Sequence, residues 1–270
     1  MNNINVLAPA KINLDLKIGD LLPSSLHEIK TTMQTIDLFD EIFISFDPKR
    51  TNQKIKINLK GLFTSNVPAN SDNTIYKAAK LFSDKTGINN NIEITLTKNI
   101  PSRSGLGSAS SDAASVFWGL ERLFNKKADI IPHDLCEIGS DVPFFYHGAP
   151  NALIEGVGEK ISQKSPQGFY CLICMYDGIF IDTAWAYKKA TDNFEEPIFS
   201  HFPDLKNLKQ KLLDNGAKKA MMSGSGSSVY GIYENKADID CAFSILNQDS
   251  KISYIKKTKS LLHNCIFDLK

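Results

Sequence analysis

Residues 92–124 constrain the fold more than any other stretch. Ile92-Glu-Ile-Thr-Leu-Thr-Lys98 alternates apolar and polar side chains, the period of a strand with one buried face. Pro101-Ser-Arg-Ser-Gly-Leu-Gly-Ser-Ala-Ser-Ser-Asp-Ala-Ala114 follows, and over residues 110–124 Ala113, Val116, Phe117, Leu120 and Phe124 recur at helical spacing. Strand, glycine turn and helix N-terminus in succession suit phosphate. Unpaired amides point out of the first helical turn, the helix dipole favours negative charge, and Gly105 and Gly107 let oxygen atoms approach the backbone. Ser104, Ser108, Ser110 and Ser111 add hydroxyl donors. The commonest phosphate loops are excluded by their letters. A P-loop ends in Gly-Lys-Ser/Thr, and no lysine follows Gly107 before the helix. A dinucleotide fingerprint needs a third glycine where this chain has Ser110. Glycine and serine also make ordinary helix caps, so the loop alone does not decide for phosphate.

With 270 residues, the chain is long enough for one large domain or two small ones, and 42% hydrophobic against 23% charged residues is ordinary globular composition. A formal net charge of +1 gives no reason to expect nucleic acid; Lys256, Lys257 and Lys259 read as a solvated face. No charged start followed by an apolar core marks a signal peptide, and no apolar run approaches about 20 residues, so neither export nor a membrane partner is expected. A cytoplasmic location is the default. No heptad or self-complementary patch appears, and a monomer or weak homodimer is expected. The five cysteines (Cys136, Cys171, Cys174, Cys241 and Cys265) are odd in number and scattered, which argues against a disulfide framework. Cys171 and Cys174 sit in Phe169-Tyr-Cys-Leu-Ile-Cys-Met-Tyr176, a buried-strand pattern that turns positions three apart to opposite sides. Core thiols, not zinc ligands, are expected.

Further strands are read at residues 6–18 (a start followed by a Gly-Asp turn), 40–46 and 54–59, and a helix at 73–86. Asp141-Val-Pro-Phe-Phe-Tyr146 reads as a capped helical turn. Beyond Gly148, strand patterns at 152–155, 169–176 and 228–233 mix with helical ones at 183–191 and 205–215. The expectation is an α+β protein of two layered halves, residues 1–150 and 151–270.

Four separated segments occur in a fixed order: Ala8-Pro-Ala-Lys-Ile-Asn-Leu14, the glycine loop, Gly139-Ser-Asp-Val-Pro-Phe-Phe145 and Met222-Ser-Gly-Ser-Gly-Ser-Ser-Val229. Together they resemble the GHMP kinases, the superfamily of galactokinase, homoserine kinase and mevalonate kinase. His27-Glu-Ile-Lys-Thr31 with Gln34, Asp37 and Asp40, and Asn193-Phe-Glu-Glu-Pro197, are similar to segments of one branch. That branch phosphorylates the 2-hydroxyl of a cytidine diphosphate-linked methylerythritol on the methylerythritol phosphate route to isoprenoids. The resemblance implies a ribosomal-protein-like N-terminal half, a ferredoxin-like C-terminal half, an active site in the cleft between them, and ATP with Mg²⁺ as cofactors. Two alternatives stay open: a kinase of another small alcohol, of homoserine or mevalonate type, and a non-catalytic member that binds nucleotide or metabolite.

The same resemblance implies residue roles. Asp141 takes the proton of the acceptor hydroxyl, and Lys11 beside it offsets charge on the transferred group. Ser104, Gly105, Leu106, Gly107, Ser108 and Ala109 cradle the β and γ phosphates, with hydroxyl contacts from Ser110 and Ser111. Lys98 and Asn73 match adenine-binding positions, although Lys98 also reads as an exposed strand end and Asn73 as a helix cap. Asn13, Leu26, His27, Thr183 and Tyr187 match the substrate side, where Tyr187 would stack on cytosine or else serve as core. Gly224, Ser225 and Gly226 would back the cleft from the C-terminal half, or form an ordinary tight turn. Two departures stand out. Ser25-Leu26-His27 replaces the usual Gly-Tyr-His, and leucine forfeits ring stacking worth about 1–3 kcal/mol per base. Arg103, Ser104, Ser108 and Ala109 stand where glycine is common, and Arg103 reads either as a phosphate contact or as a solvated loop residue. No acid beyond Asp141 has a visible role toward Mg²⁺, so the metal ligands are left open.

Overall fold

The computed structural model describes residues 2–23, 25–50 and 54–264; Cys265 lies outside them. The first half runs β1 (Asn3–Asn13), β2 (Lys17–Leu21), β3 (His27–Asp47), β4 (Ile55–Gly61), α1 (Thr74–Thr86), β5 (Asn91–Lys98), α2 (Ser108–Leu123), α3 (Pro132–Cys136), α4 (Val142–His147), β6 (Asn151–Gly156) and β7 (Lys160–Gln163). Its seven-stranded sheet is organised by β3, which pairs antiparallel with β1, β2, β5 and β6, while β4 joins β5 in parallel. β3 begins well before the expected residue 40. Its missed part carries Thr31, Thr32, Gln34 and Thr35, polar side chains that hide a strand's alternation yet are buried here. They are satisfied across the sheet: Gln34 Nε2 donates to the Leu261 carbonyl at 2.8 Å, Asn151 Nδ2 donates to Gln34 Oε1 at 2.9 Å, and Thr35 Oγ1 donates to the Pro150 carbonyl at 3.2 Å.

The buried stripe of α2 (Ala113, Val116, Phe117 and Leu120) packs with α1 residues Ile75, Ala78 and Phe82 onto Ile42, Ile44, Ile94 and Leu96 of the sheet. Burial of this apolar face is what holds both helices against the strands.

The expected boundary at residue 150 falls inside this sheet. β6 pairs with β3 from Ile29↔Gly156 to Gln34↔Asn151, and β7 pairs with β6, so the chain changes sheets between Gln163 and Tyr170. The Gly156-Val-Gly158 turn only reverses the chain within one layer; turn chemistry at a hairpin resembles turn chemistry at a boundary.

The second half runs β8 (Tyr170–Tyr176), α5 (Thr183–Lys189), α6 (Glu195–His201), α7 (Pro203–Asp214), β9 (Lys219–Met222), β10 (Val229–Tyr233), α8 (Lys236–Leu246) and β11 (Ile252–Lys259). Its four strands are antiparallel in the order β11-β8-β10-β9, which is the ferredoxin-like βαββαβ arrangement. Alternation along β8 sends Leu172 and Cys174 into the core beneath the helices, while Cys171 and Ile173 face the other half. The two thiols therefore sit on opposite sides of the sheet, and no group of three His, Cys, Asp or Glu residues is placed to share an ion among the described residues.

Ala10, Ile12, Ile36, Leu38, Ile100 and Leu106 meet Cys171, Ile173 and Tyr230 in a third core that joins the halves. Tyr230 Oη donates to the Asn13 carbonyl at 2.6 Å, and Asp37 accepts from the Lys259 amide at 2.7 Å and from the Thr258 hydroxyl. Among the described residues, no helix is long and apolar enough to cross a membrane.

Candidate active site

A cleft of roughly 740 Å³ lies between the halves, lined by Lys11, Asn13, the 101–110 loop, Asp141, the start of α5 and the Gly224-Ser225-Gly226 turn. A register shift between Pro9 and Ala10 marks where β1 changes surroundings: Val6 and Ala8 pack beneath the helices, whereas Ala10 and Ile12 pack against the second half. Lys11 and Asn13, two apart on the other face, thereby line the cleft.

Lys11 is 3% exposed, and its Nζ donates to Asn13 Oδ1 at 2.6 Å and lies 3.3 Å from Asp141 Oδ2. An ammonium has three donors, so one remains for a ligand. Asn13 in turn donates to Thr31 Oγ1 at 2.8 Å, and Thr31 donates to the Asp15 carbonyl at 2.6 Å. Asn13, expected on the substrate side, is thus first of all the group that aims Lys11. Asp141 stands at the N-cap of α4, but its side chain makes no capping bond and turns to Lys11 instead.

The loop before α2 is glycine-dependent for a reason the letters do not give. A Cβ on Gly107 (φ 73°) would lie 2.8 Å from Lys11 Cγ and 3.0 Å from the Phe145 ring; a Cβ on Gly105 (φ 78°) would lie 1.8 Å from the Ser223 carbonyl oxygen. The glycines therefore admit Lys11 and the opposite loop, besides any phosphate. The loop is bonded to both halves. The Lys11 amide donates to the Leu106 carbonyl at 2.9 Å, Ser223 Oγ donates to the Gly105 carbonyl at 2.9 Å, and Ser228 Oγ donates to the Ser104 carbonyl at 2.6 Å. α2 starts from Gly107 with no side-chain cap and no acid in its first turn, leaving its N-terminal amides to solvent or ligand.

The expected hydroxyl donors fare differently. Ser104 Oγ closes its own turn onto the Pro101 carbonyl at 2.7 Å. Ser108 Oγ donates to Asp40 Oδ2 at 2.9 Å. Ser110 and Ala109 line the cleft, and the Ala109 carbonyl accepts from Thr74 Oγ1 at 2.8 Å. Ser111 is buried in α2, its hydroxyl has no hydrogen-bond partner among the described residues, and it does not line the cleft; Leu106 packs in the third core.

Lys98 requires a correction. It is neither an exposed strand end nor free to read adenine through its ammonium. Its Nζ donates to Asp112 Oδ2 at 2.7 Å, to Asp40 and to Ser108 Oγ, which uses all three donors in a buried network. Burial works to lower the Lys98 pKa, but Asp112 and Asp40 outweigh it and the net direction is upward. Burial pushes the Asp112 carboxyl up to about 8 against the pull of Lys98, with Asp40 adding to the rise. The network pins β3, β5 and the first turns of α2 under the phosphate loop. Asp40 and Asp112 both stand in the motif segments, but nothing local in the sequence pairs them. The available signal was an acid one helical turn before Val116, on the buried face of an apolar helix. Asn73 is the cap of α1, its Oδ1 accepting from the Ile75 amide at 3.0 Å while its edge of the cleft stays close to the loop.

At the other end, Tyr187 lines the cleft from α5, edge-on to Phe194 (centroids 4.9 Å) and stacked with His27 (5.6 Å, 12° between planes). Burial first, and then the Asp141 charge, push its hydroxyl up to about 12. His27 Nδ1 sits 3.2 Å from the Gly19 carbonyl. Leu26 and His27, both expected on the substrate side, do not themselves line the cleft: His27 reaches it only through its stack on Tyr187, and Leu26 is 50% exposed. It ends a tight turn, closed by the Leu22 amide on the Leu26 carbonyl at 2.8 Å, with Ser25 at φ 64°. Thr183 Oγ1 lies 3.1 Å from Ser225 Oγ, joining α5 to the Gly224-Ser225-Gly226 turn, and a Cβ on Gly224 would be 3.5 Å from Lys11 Nζ.

The residues do not form a dedicated Mg²⁺ site. Of the four acids lining the cleft, Asp112 is bound to Lys98, Asp141 faces Lys11, Asp182 caps α5 through the Trp185 amide at 2.7 Å, and Asp72 is exposed just before α1; no three acids or histidines are grouped to share an ion among the described residues. The Asp112 Oδ1 atom lacks a partner among the described residues, but it is buried and alone. Magnesium held chiefly by substrate phosphates fits this arrangement better than a protein-caged ion.

Comparison with known proteins agrees with the geometry. The GHMP kinases N terminal domain matches residues 73–152 and the GHMP kinases C terminal domain residues 181–251. A 4-diphosphocytidyl-2-C-methyl-D-erythritol kinase of Prosthecochloris aestuarii is 32% identical over 90% of this chain and 93% of its own. One from Syntrophotalea carbinolica is 33% identical over 85% and 89%. The crystal structure of a 4-(cytidine 5'-diphospho)-2C-methyl-D-erythritol kinase superposes with a TM-score of 0.77 at 26% identity, covering 96% of this chain and all of that one (100%). A homoserine kinase of Cytophaga hutchinsonii superposes at 0.73 with 17% identity, a likeness of fold alone. The chain belongs to the GHMP kinases, and within them to the family of the 4-diphosphocytidyl-2-C-methyl-D-erythritol kinases.

Proposed function

We propose that this chain transfers the terminal phosphoryl group of ATP to the 2-hydroxyl of 4-diphosphocytidyl-2-C-methyl-D-erythritol, releasing ADP and the 2-phosphate. The observation that carries the reading is the Lys11–Asp141 pair, 3.3 Å apart in a cleft that also holds the uncapped N-terminus of α2. GHMP kinases use ATP, and the names of the relatives supply the acceptor.

Phosphoryl transfer asks for positioning and charge neutralisation more than for covalent participation by the protein. Asp141 orients the acceptor hydroxyl and receives its proton as the new O–P bond forms. The bond from phosphorus to the bridging oxygen breaks, and that oxygen keeps its electron pair on departing ADP. The remaining Lys11 donor is directed at the transferred group, where negative charge is handed from one oxygen to another. The first amides of α2 and the 104–109 backbone hold the β and γ phosphates. Mg²⁺, if bound, would be held chiefly by the nucleotide phosphates and would offset their charge. Tyr187 and His27 form the cytidine end, the ring of Tyr187 offering a stacking face.

A non-catalytic binding role leaves the Lys11–Asp141 pair and its Asn13–Thr31 support without a purpose. A homoserine- or mevalonate-type acceptor has only the shared fold behind it. The test is ADP release measured with 4-diphosphocytidyl-2-C-methyl-D-erythritol, homoserine and mevalonate in turn. Turnover with the first compound is expected; turnover confined to either of the others would redirect the reading.

A further inference from the structure

Three cationic side chains line the cleft: Lys11, Lys98 and Arg103. Lys98 is consumed by Asp40 and Asp112, and Lys11 faces Asp141. Arg103 is exposed on the phosphate loop itself, and among the described residues its guanidinium has no hydrogen-bond or ion-pair partner. Arg103 also holds φ 54°, the left-handed region that a side chain enters at a cost and glycine does not. Non-glycine residues kept in such conformations cluster where a ligand is gripped. The chain is sparing with arginine: only three (Arg50, Arg103 and Arg122) stand among its 31 basic residues. A guanidinium differs from an ammonium in presenting a planar fork that bonds two phosphate oxygens at once.

We propose that Arg103 binds the β and γ phosphates of the bound nucleotide through its guanidinium, supplying from the solvent side of the loop the positive charge that Lys98 cannot. The inference rests on the ATP reading of the cleft. A polyphosphate lying along the amides of α2 meets only the partial charge of the helix dipole and one engaged lysine; Arg103 adds a full, unpaired charge at the same loop.

The test is direct binding, without acceptor or turnover, of ATP and ADP by calorimetry and of AMP by competition. R103G is the informative variant, because glycine relieves the positive φ and leaves the backbone at no disadvantage; an unchanged or raised thermal midpoint verifies its folding. R103G should weaken ATP by about tenfold or more, the size of a lost charge-assisted contact, and leave AMP within about twofold. R103K should recover part of the loss. Unchanged ATP affinity in R103G, with the wild-type protein binding ATP, overturns the role of Arg103 alone. An equal loss for ATP and AMP also overturns it, since the guanidinium would then act on the nucleoside or on the loop. A wild-type protein that binds no ATP overturns the nucleotide reading together with it.

Discussion

The two ends of the cleft are built on different terms. At the phosphate end every element is fixed more than once: Gly105 and Gly107 are sterically required, three carbonyls of the loop are bonded to β1 or to the opposite turn, and a buried Lys98–Asp40–Asp112 network anchors the helix start. At the proposed cytidine end the groups hang from a surface hairpin and a seven-residue helix, joined by a histidine–tyrosine stack, by Ile18 in the core that holds Ala186, and by the Ile18 amide donating to the Asp192 carbonyl at 2.9 Å. Chemistry common to a superfamily needs oxygen atoms placed to within fractions of an ångström. Recognition of one acceptor tolerates adjustment of the loops that carry it. On the proposed function, reaction belongs to the scaffold and specificity to its attachments.

Substitutions can break that comparison, and the largest effect belongs to the reacting centre. Asp141→Asn should lower turnover by about 10²–10⁴-fold while ATP affinity, measured by calorimetry, stays within about threefold; full turnover would remove Asp141 from the mechanism. Gly105→Ala should destabilise the fold by about 3 kcal/mol or more in urea titration, because its Cβ meets the Ser223 carbonyl at 1.8 Å. Gly87→Ala is the control. That glycine has a similar φ of 73° but nothing within 4 Å of the added carbon, and should cost about 1 kcal/mol. Equal costs at the two sites would contradict the over-determined phosphate loop. Tyr187→Ala should weaken CDP binding by about 1–3 kcal/mol, read as lost thermal protection, without changing ATP affinity.

A smaller effect separates the buried network by pH. The folded-state pKa of Asp112 is raised from 3.8 to about 8, so the native protein holds a proton that the unfolded chain has released. That stabilisation is complete below pH 3.8 and is lost as pH rises through about 8. The wild-type unfolding free energy should therefore fall between about pH 5 and pH 8 and level off above, whereas Asp112→Asn should flatten the fall. A decline that survives in Asp112→Asn assigns the proton elsewhere. Smallest is Leu26→Tyr. With position 26 half exposed and off the cleft wall, CDP affinity should shift by less than about twofold, within the range of surface substitutions; a marked tightening would place the hairpin over the base.

The sequence is legible where function rests on local backbone. Gly105, Gly107, Lys11 and Asp141 sit in contiguous motifs whose spacing presets the turn, the strand and the helix start, and the structure brings all four to one cleft. Partnerships across the chain are not legible in this way. Lys98 meets Asp40 through the antiparallel register of β3 and β5, and Asp112 through the rotational setting of α2; none of these is encoded within a window of neighbours. The same blindness shortened β3, whose polar centre is buried by strands on both sides, and set the change of halves at residue 150, where only the third dimension shows β6 returning to β3. Leu26 and His27 are neighbours in the motif and neither lines the cleft, but His27 stacks on Tyr187 whereas Leu26 ends a tight turn half exposed, a difference that adjacency in the chain does not encode.

Transfer from ATP to one hydroxyl of a cytidine-linked acceptor is tested most directly by ³¹P NMR of the protein with Mg-ATP and 4-diphosphocytidyl-2-C-methyl-D-erythritol. The expected spectrum gains ADP and, in equal amount, a phosphomonoester on the 2-oxygen, while the pyrophosphate of the acceptor is untouched. ATP that persists beside an unchanged acceptor, under conditions where nucleotide binding is intact, would contradict the assignment and return the question to the cytidine end of the cleft.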